Sequence, residues 1–214
     1  MRSWWYVLAI RIWRLLGLIG LISVVVPAGL HAALPRQELT PQARSLTGYL
    51  LVASPRMGDP RFQRTVLLVV RHDKNGALGI TINRPLAERP LAMLLEALGE
   101  TAQAAAGTVR LFAGGPVQPE IALIVHSADY DRQETLHVTA DVSVTTSLEV
   151  LRDIARKTGP QKALVALGYA GWAAGQLETE LARDDWLVAP ADAALIFDIA
   201  RERVWDEAMA HRLP

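Results

Sequence analysis

The sequence predicts an α+β fold in which a mixed, largely antiparallel sheet or a small barrel is flanked by helices. Two patterns predict this class. Short apolar runs bounded by glycine and proline, which are typical of buried strands, alternate with apolar residues at helical spacing. A tight-turn sequence at residues 73–76 also joins the first two long strands, so these strands are expected to pair antiparallel.

The composition excludes several kinds of site. The 214 residues contain no cysteine, which rules out disulfides, thiol catalysis and cysteine-ligated zinc. The formal net charge is zero, but residues 1–34 hold three arginines and no acidic residue. The rest of the chain therefore has 19 basic and 22 acidic residues, a net charge of −3, which is unfavourable for a nucleic-acid-binding surface.

The N-terminal segment, residues 1–34, is predicted to be a signal peptide or a membrane anchor. Its arginines accompany an apolar run at residues 15–26, and Val26 and Ala28 offer a cleavage-like spacing of small residues. Such a segment would export the protein or associate it with a membrane; the alternative is a misassigned start and a cytoplasmic product. Residues 35–47 are polar and predict a linker, which leaves residues 48–214 as the domain.

The domain is predicted to begin with a strand at residues 49–53 and a longer one at residues 63–72. The apolar run within the second strand is too continuous for a sheet with one wet face. After the turn the chain returns as a strand at residues 77–82. Pro90 then opens a helix with one apolar face, and Gly99 closes it.

The middle of the domain is predicted to be rich in strands. In chain order it contains a loop at residues 101–107, strands at residues 109–112 and 121–126 joined across residues 114–116, and one or two edge strands within residues 135–144. A capping pair of Thr146 and Glu149 then starts a helix that runs to Lys157.

The end of the domain is organised around residues 162–192. A buried strand at residues 163–167 is predicted to stop at Gly168, and a glycine-rich turn follows as far as Gly175. The remaining predicted elements are a helix with Leu177 and Leu181 on its apolar face and Glu178 and Glu180 on its polar face, a strand at residues 186–188, and helices at residues 191–197 and 201–212.

Five segments of the chain resemble, in order, the motifs of the YqgE/AlgH family (UPF0301) of small bacterial proteins. They are LVASP at residues 51–55 with Asp59, Pro60 and Phe62, GALGITINRP at residues 76–85, FAGGP at residues 112–116 with Val125 and His126, TTSL at residues 145–148, and residues 162–192. The resemblance covers most of the chain and implies the α+β fold predicted above. It also implies a cytosolic location, and the family carries the label of transcriptional regulator.

No catalytic or cofactor motif is present. The sequence has no nucleophile elbow, no HExxH, no Walker A and no GxGxxG pattern. The histidines lack paired ligand spacing, so no metal and no cofactor are predicted; a zinc site built from His72, His126 and His137 would depend wholly on folding. His126 with Asp129 is the remaining candidate for acid–base chemistry, and we predict no catalytic residues.

Residues in three predicted loops form the candidate ligand-binding site. They are Asn83, Arg84, Gly114, Gly115, Tyr169 and Trp172. Arg84 could bind a carboxylate or phosphate through two hydrogen bonds, or it could form a structural ion pair. The glycine pair could expose backbone amides to an anion or form a plain turn. The two aromatic side chains, with Trp186, either line a pocket or pack in the core.

The predicted function is that of a non-enzymatic regulatory or interaction protein. Specific DNA binding is not expected, because the body is acidic and lacks a helix-turn-helix pattern. The partner would instead be a protein or a small ligand. The alternative is an enzyme of unassigned reaction, or a small-ligand-binding protein, that uses a pocket where the three loops converge.

Overall fold

The computed structural model describes residues 45–97, 99 and 107–214. The predictions for residues 1–34, for most of the linker and for nearly all of the loop at residues 101–107 therefore lie outside the described residues. Within the described part, none of the helices is long and apolar enough to cross a membrane.

Ten strands and five short helices make up this part of the chain. The strands are β1 (Tyr49–Ala53), β2 (Val66–Asp73), β3 (Gly76–Thr81), β4 (Pro85–Pro90), β5 (Thr108–Ala113), β6 (Val117–Ser127), β7 (Leu136–His137), β8 (Val142–Thr145), β9 (Ala163–Ala173) and β10 (Trp186–Pro190). The helices are α1 (Leu91–Ala97), α2 (Glu149–Ala155), α3 (Gln176–Ala182), α4 (Ala193–Phe197) and α5 (Val204–Ala210). The predicted α+β class is confirmed.

The long strand β9 lies at the centre of the sheet. The strand order is β10-β1-β2-β3-β9-β6-β8-β7, and a second branch joins β4 to β5 and β5 to β9. The β5–β9 pair is parallel, whereas the other pairs between the described strands are antiparallel, as predicted for a mixed sheet. Because β10 and β7 do not pair with each other, the sheet formed by the described residues is open.

The first strands are buried on both faces. In β2, Val66 and Leu68 belong to one core cluster, while Leu67 and Val69 belong to a second. Residues of α4 and α5 complete the first cluster, and Leu177 of α3 belongs to the second. Removing a leucine side chain from water stabilises the fold by about 2 kcal/mol. This two-sided burial explains the continuous apolar runs and confirms the prediction that neither face is wet.

The predicted turn at residues 168–175 is wrong, because β9 continues through it to Ala173. Gly168 has a φ of 72°, which glycine adopts without strain, but pairing with β6 and β3 continues on both sides of it. Ala170 and Trp172 are buried and their neighbours are more exposed, which is the period of a strand. Long-range pairing thus overrides the local glycine signal, and the chain turns only after Ala173.

The predicted capping pair at the start of α2 is also wrong. The helix follows Leu148, which makes no side-chain capping hydrogen bond, and it begins at Glu149. The hydroxyl of Thr145 accepts a hydrogen bond from the N–H of Ser147 at 3.0 Å. A threonine hydroxyl therefore stabilises the turn before the helix and not the helix itself, because such side chains compete for nearby backbone groups.

The strand β4 is one that the sequence did not predict. It pairs with β5, and prolines occupy its two ends, Pro85 and Pro90. Prolines are tolerated at an edge because they have no N–H to donate to a neighbouring strand. Most of its side chains are exposed, so its sequence shows no alternation of apolar and polar residues.

The last residues of the predicted linker are hydrogen-bonded to His72 at the end of β2. Ser45 donates its hydroxyl to the His72 carbonyl oxygen (2.8 Å), and the N–H of Leu46 donates to Nδ1 of the imidazole (3.0 Å). Because Nδ1 accepts, Nε2 carries the proton and donates to the carboxylate of Glu178 on α3 (2.8 Å). His72 therefore ties the segment before β1 to α3.

Candidate functional site

Asn83 stabilises the loop that precedes β2. Its Oδ1 accepts a hydrogen bond from the backbone N–H of Val66 (2.9 Å), and its Nδ2 donates to the backbone carbonyl of Arg64 (2.8 Å). The amide side chain therefore satisfies one donor and one acceptor of a neighbouring segment. A role of Asn83 in ligand binding stays a prediction.

We expect Asn83→Ala to lower the free energy of unfolding by about 1–2 kcal/mol, because the buried N–H of Val66 loses its acceptor. Chemical denaturation monitored by tryptophan fluorescence measures this change. The matched control is Asn75→Ala at an exposed turn position, where the change should stay within about 0.5 kcal/mol. Equal stabilities of the two variants would contradict the assigned role.

Arg84 makes hydrogen bonds to the same loop. Its Nε and Nη2 donate to the hydroxyl of Thr65 at 3.0 and 2.8 Å, and Nη2 also donates to the carbonyl oxygen of Gln63 at 2.7 Å. Among the described residues no carboxylate forms an ion pair with Arg84. The structure thus gives its guanidinium a third role, the support of a backbone segment, which neither sequence-based alternative contained.

Gly114 and Gly115 lie directly against the backbone of β9. The N–H of Gly114 donates to the carbonyl of Leu167 at 2.8 Å, so this amide is already used. A Cβ on Gly114 would lie 2.2 Å from the carbonyl oxygen of Gly168, and one on Gly115 would lie 2.1 Å from the carbonyl carbon of Tyr169. Both residues are glycine because two backbones approach too closely for any side chain.

The two predicted aromatic residues have different surroundings. Tyr169 is half-buried against the first core cluster, and burial raises the pKa of its phenol. Trp172 is buried in the second cluster and also lines a groove. The three predicted segments do lie side by side, since the N–H of Ala113 also donates to the carbonyl of Arg84 (2.9 Å). Of the six residues of the candidate ligand-binding site, Trp172 is the one that lines the groove described below.

Two arrangements in the described residues resemble catalytic ones. In the first, Nδ1 of His137 lies 3.1 Å from the hydroxyl of Ser143, and its Nε2 lies 3.6 Å from the carboxylate of Asp131. Ser143 is completely buried, so a substrate does not reach its hydroxyl. The distance to Asp131 is too long for a hydrogen bond. The geometry does not support a nucleophile and its base.

The second arrangement is His126 with Asp129. His126 is completely buried, its Nδ1 donates to the carbonyl of Ser127 (2.9 Å), and burial lowers the pKa of the imidazole. Asp129 instead accepts a hydrogen bond from the hydroxyl of Ser127. The two side chains are therefore not joined by a hydrogen bond. The described residues also contain no group of three or more possible metal ligands, and this includes the histidine set considered above.

A groove of about 480 Å³ lies beside the end of β9, and we call it the aromatic groove. Its apolar lining includes Met57, Phe62, Trp172, Trp186, Pro116 and Val117. The ring centroids of Phe62 and Trp186 are 5.6 Å apart, those of Trp172 and Trp186 are 6.1 Å apart, and both pairs are edge-to-face. Such pairs are attractive beyond their buried area, so the rings stabilise one another.

The carboxylate of Glu180 fixes the two tryptophan rings. Its Oε2 accepts hydrogen bonds from the indole N–H groups of Trp172 and Trp186, both at 2.8 Å, and its Oε1 accepts one from Gln176 at 2.9 Å. The sequence predicts Glu180 on the polar face of this helix, and the structure shows that its carboxylate there contacts the two indole rings. No local signal distinguishes this glutamate, because its partners lie on β9 and β10.

Two ion pairs lie at the rim of the aromatic groove. Arg61 contacts Asp59 at 2.6 Å, and Arg183 contacts Asp185 at 2.8 Å. Each arginine uses two nitrogens on its partner, so the charges are neutralised within each pair. The groove thus has an aromatic floor and a polar, locally neutral rim.

Three segments that are distant in sequence build the aromatic groove. They are the segment with Asp59 and Phe62, the FAGGP segment with Pro116, and the stretch from Trp172 to Trp186. Each is one of the five segments that resemble family motifs. The sequence points to the tryptophans but not to Phe62 as a site residue, because only folding brings Phe62 to Trp186.

Comparison with known proteins identifies relatives over most of the chain. A family model described as AlgH-like matches residues 50–212. A UPF0301 protein of Xylella fastidiosa (strain M23) is 44% identical over 165 residues, covering 77% of this chain and 87% of the relative. A UPF0301 protein of Methylococcus capsulatus is 43% identical over 165 residues, covering 77% of this chain and 90% of the relative.

Solved structures show the same fold. The solution structure of the AlgH protein from Pseudomonas aeruginosa matches with a TM-score of 0.67 and 37% sequence identity, covering 80% of this chain and 91% of that one. A crystal structure of a protein from Corynebacterium diphtheriae matches with a TM-score of 0.62 and covers 78% of this chain and 86% of its own. At 23% identity the second likeness concerns the fold alone.

Proposed function

The chain belongs to the AlgH-like family, and from that premise we propose that it is a non-enzymatic interaction protein that binds a partner protein through the aromatic groove. The observation that carries the proposal is the convergence of three family-like segments on this one open surface. A regulatory role would follow from occupancy of the groove by the partner.

The composition of the groove supports a protein partner. Aromatic residues, methionine and arginine are enriched at the centres of protein interfaces, and all three kinds line this groove. Val117 in its lining is 36% exposed, which offers apolar area to a partner. An apolar centre surrounded by paired charges is the arrangement in which a few side chains contribute most of the binding energy.

The hydrogen bonding of the groove favours a protein over a small molecule. Small-molecule sites direct a few free polar groups at the ligand. Here the indole N–H groups of Trp172 and Trp186 and the amide of Gln176 already donate to Glu180. Recognition therefore depends on apolar contact and shape, which suits an inserted side chain of a partner.

The same hydrogen bonds argue against catalysis in the groove. Glu180 is the acidic residue there without an arginine partner, and three donors occupy its carboxylate oxygens. A general base needs a lone pair directed at the substrate proton. Binding without chemistry is the simpler account, and the net charge of −3 on the chain after residue 34 opposes direct DNA binding.

Site-specific photo-crosslinking in the native host tests the proposal. A photoreactive amino acid at Val117 should give one discrete heavier species that contains a partner protein. The matched control is the same amino acid at Leu136, an exposed position on the edge strand β7, which should give none. A species of twice the mass, containing only this chain, would replace the proposed partner with a second copy.

Binding of the identified partner is then measured with purified proteins by calorimetry. We expect Val117→Asp to weaken binding at least about tenfold, because it places a charge against an apolar contact. Leu136→Asp should leave the affinity unchanged, and both variants should keep the melting temperature. Equal crosslinking at both positions, or an unchanged affinity for Val117→Asp, would overturn the proposal.

A further inference from the structure

A second cavity, of about 320 Å³, lies on another part of the domain and is independent of the aromatic groove. It is bounded by β5, the start of β9, the end of α2 and α4. Its basic lining residues are Arg110, Lys162 and Arg201, and we call it the arginine pocket. None of these three residues was singled out from the sequence, because they come from separate elements.

The positive charges of the arginine pocket are only partly compensated. Lys162 pairs with Asp198 at 2.6 Å. Among the described residues, neither Arg110 nor Arg201 lies within 4.0 Å of a carboxylate. The chain after residue 34 has a net charge of −3, yet two guanidinium groups without an ion-pair partner among the described residues line this one cavity.

Arg201 is held in place by backbone groups and not by a counter-ion. Its Nη1 donates to the carbonyl of Ile196 at 2.6 Å, and its Nη2 donates to the carbonyl of Ile199. Its Nε is buried and has no hydrogen-bond partner among the described residues. Burial lowers the pKa of this guanidinium and the positive charge of Arg110 lowers it further, whereas the negative charges of Asp198 and Glu202 raise it. The first two effects oppose the charged form, and a bound anion would offset them.

The one acidic residue of the lining does not neutralise the pair. Glu88 on β4 lies opposite Arg110 in the β4–β5 register. Its carboxylate nevertheless accepts a hydrogen bond from the hydroxyl of Thr108, and no ion pair joins it to Arg110. Glu88 is exposed, so solvent screens its charge.

We propose that the arginine pocket binds a small molecule that carries a carboxylate or phosphate group on an apolar body. Guanidinium groups bind both oxyanions through paired, charge-assisted hydrogen bonds. The apolar body follows from the rest of the lining, in which Ile154 and Phe197 are partly exposed apolar residues. A volume of about 320 Å³ is at the lower end for small-molecule sites and suits a ligand of the size of one ring with its oxyanion.

Isothermal titration calorimetry on the full-length protein tests the proposal with four probes: phenyl phosphate, benzoate, inorganic phosphate and uncharged benzyl alcohol. We expect saturable binding of phenyl phosphate or benzoate, and the tighter of the two identifies the preferred oxyanion. Inorganic phosphate and benzyl alcohol should each bind at least about tenfold more weakly, because each lacks one half of the recognised chemistry.

Arg110→Gln assigns the binding to the pocket. Arg110 is exposed on β5, so its replacement should leave the fold intact while weakening the preferred probe at least about tenfold. The control is Arg71→Gln, which removes the same charge from an exposed position on β2 outside the pocket and should not change the affinity. The proposal is overturned if neither oxyanion binds at about 1 mM, if benzyl alcohol or inorganic phosphate binds equally well, or if Arg110→Gln has no effect.

Discussion

Replacing Gly115 with alanine is expected to lower the free energy of unfolding by about 3–5 kcal/mol, among the largest effects of a single methyl group. The added Cβ would lie 2.1 Å from the carbonyl carbon of Tyr169 and 2.4 Å from the nitrogen of Ala170. These are backbone atoms of the central strand, so they cannot move aside as a flexible side chain could. Relief of the clash requires β9 to separate from the segment after β5.

The matched control for this prediction is Gly171→Ala on the same strand. A Cβ on Gly171 meets nothing closer than the ring of Tyr169 at 3.6 Å, which is ordinary contact. We expect a change within about 0.5 kcal/mol, or slight stabilisation, because alanine restricts the unfolded chain more than glycine does. Denaturant titration of both variants measures the difference. A large loss of unfolding free energy for Gly171→Ala, or no loss for Gly115→Ala, would contradict the register of β9.

Replacing Asp153 with alanine is expected to cost about 2–3 kcal/mol. The carboxylate of Asp153 is 7% exposed and accepts hydrogen bonds from the hydroxyl of Tyr130 at 2.5 Å and from the guanidinium of Arg132. The variant leaves a partly buried phenol without an acceptor. Arg132 is 43% exposed and regains water, which keeps the cost below that of a fully buried pair.

The matched control is Asp206→Ala, which breaks an ion pair with Arg64 in which both side chains are more than half exposed. Screening by solvent limits such pairs to about 0–1 kcal/mol. Thermal unfolding of the two variants measures the contrast. Similar losses of stability in Asp153→Ala and Asp206→Ala would show that burial does not strengthen the Asp153 interaction.

Asp153 also predicts an acid-dependent loss of stability. Burial by itself would raise the pKa of its carboxyl, but the hydrogen bonds from Tyr130 and Arg132 outweigh it and hold the pKa below its ordinary value. The stabilisation is therefore complete above the unfolded-state pKa of about 3.9 and is lost as the pH falls through the folded-state pKa. The stability difference between wild type and Asp153→Asn should stay constant above about pH 5 and shrink below about pH 4. A stability difference between wild type and Asp153→Asn that stays unchanged below about pH 4 would contradict the stabilising role of the ionised carboxylate.

The hairpin of β2 and β3 shows what local sequence can predict. Continuous apolar runs indicated burial on both faces, and the polar turn sequence between the strands indicated antiparallel pairing. Both signals lie within a few residues of the element that they describe. The same kind of signal failed at β9, where glycine indicated a turn while pairing with β3 and β6 carries the strand onward.

The candidate site shows the limit of the same reasoning. The predicted residues were chosen by chemical type, and the structure shows internal contacts for Asn83, Arg84 and the glycine pair. Their role in ligand binding stays a prediction. The two tryptophans, Trp172 and Trp186, could be recognised from the sequence because large aromatic residues are candidates for a pocket or a core wherever they occur. Glu180, which fixes both rings, has the sequence environment of an ordinary surface glutamate.

The sequence by itself determined the α+β class, the two-sided burial of the first strands and the family, because periodicity, apolar continuity and motif order are properties of neighbouring residues. Only the tertiary structure decided the aromatic groove and the arginine pocket. Phe62 meets Trp186, and Arg110 and Arg201 line one cavity, across long separations in the chain. The spacing of apolar residues along an element indicates which of its faces is buried. Which residue of another element packs against that face depends on strand order and register, and these arise only when the whole sheet assembles.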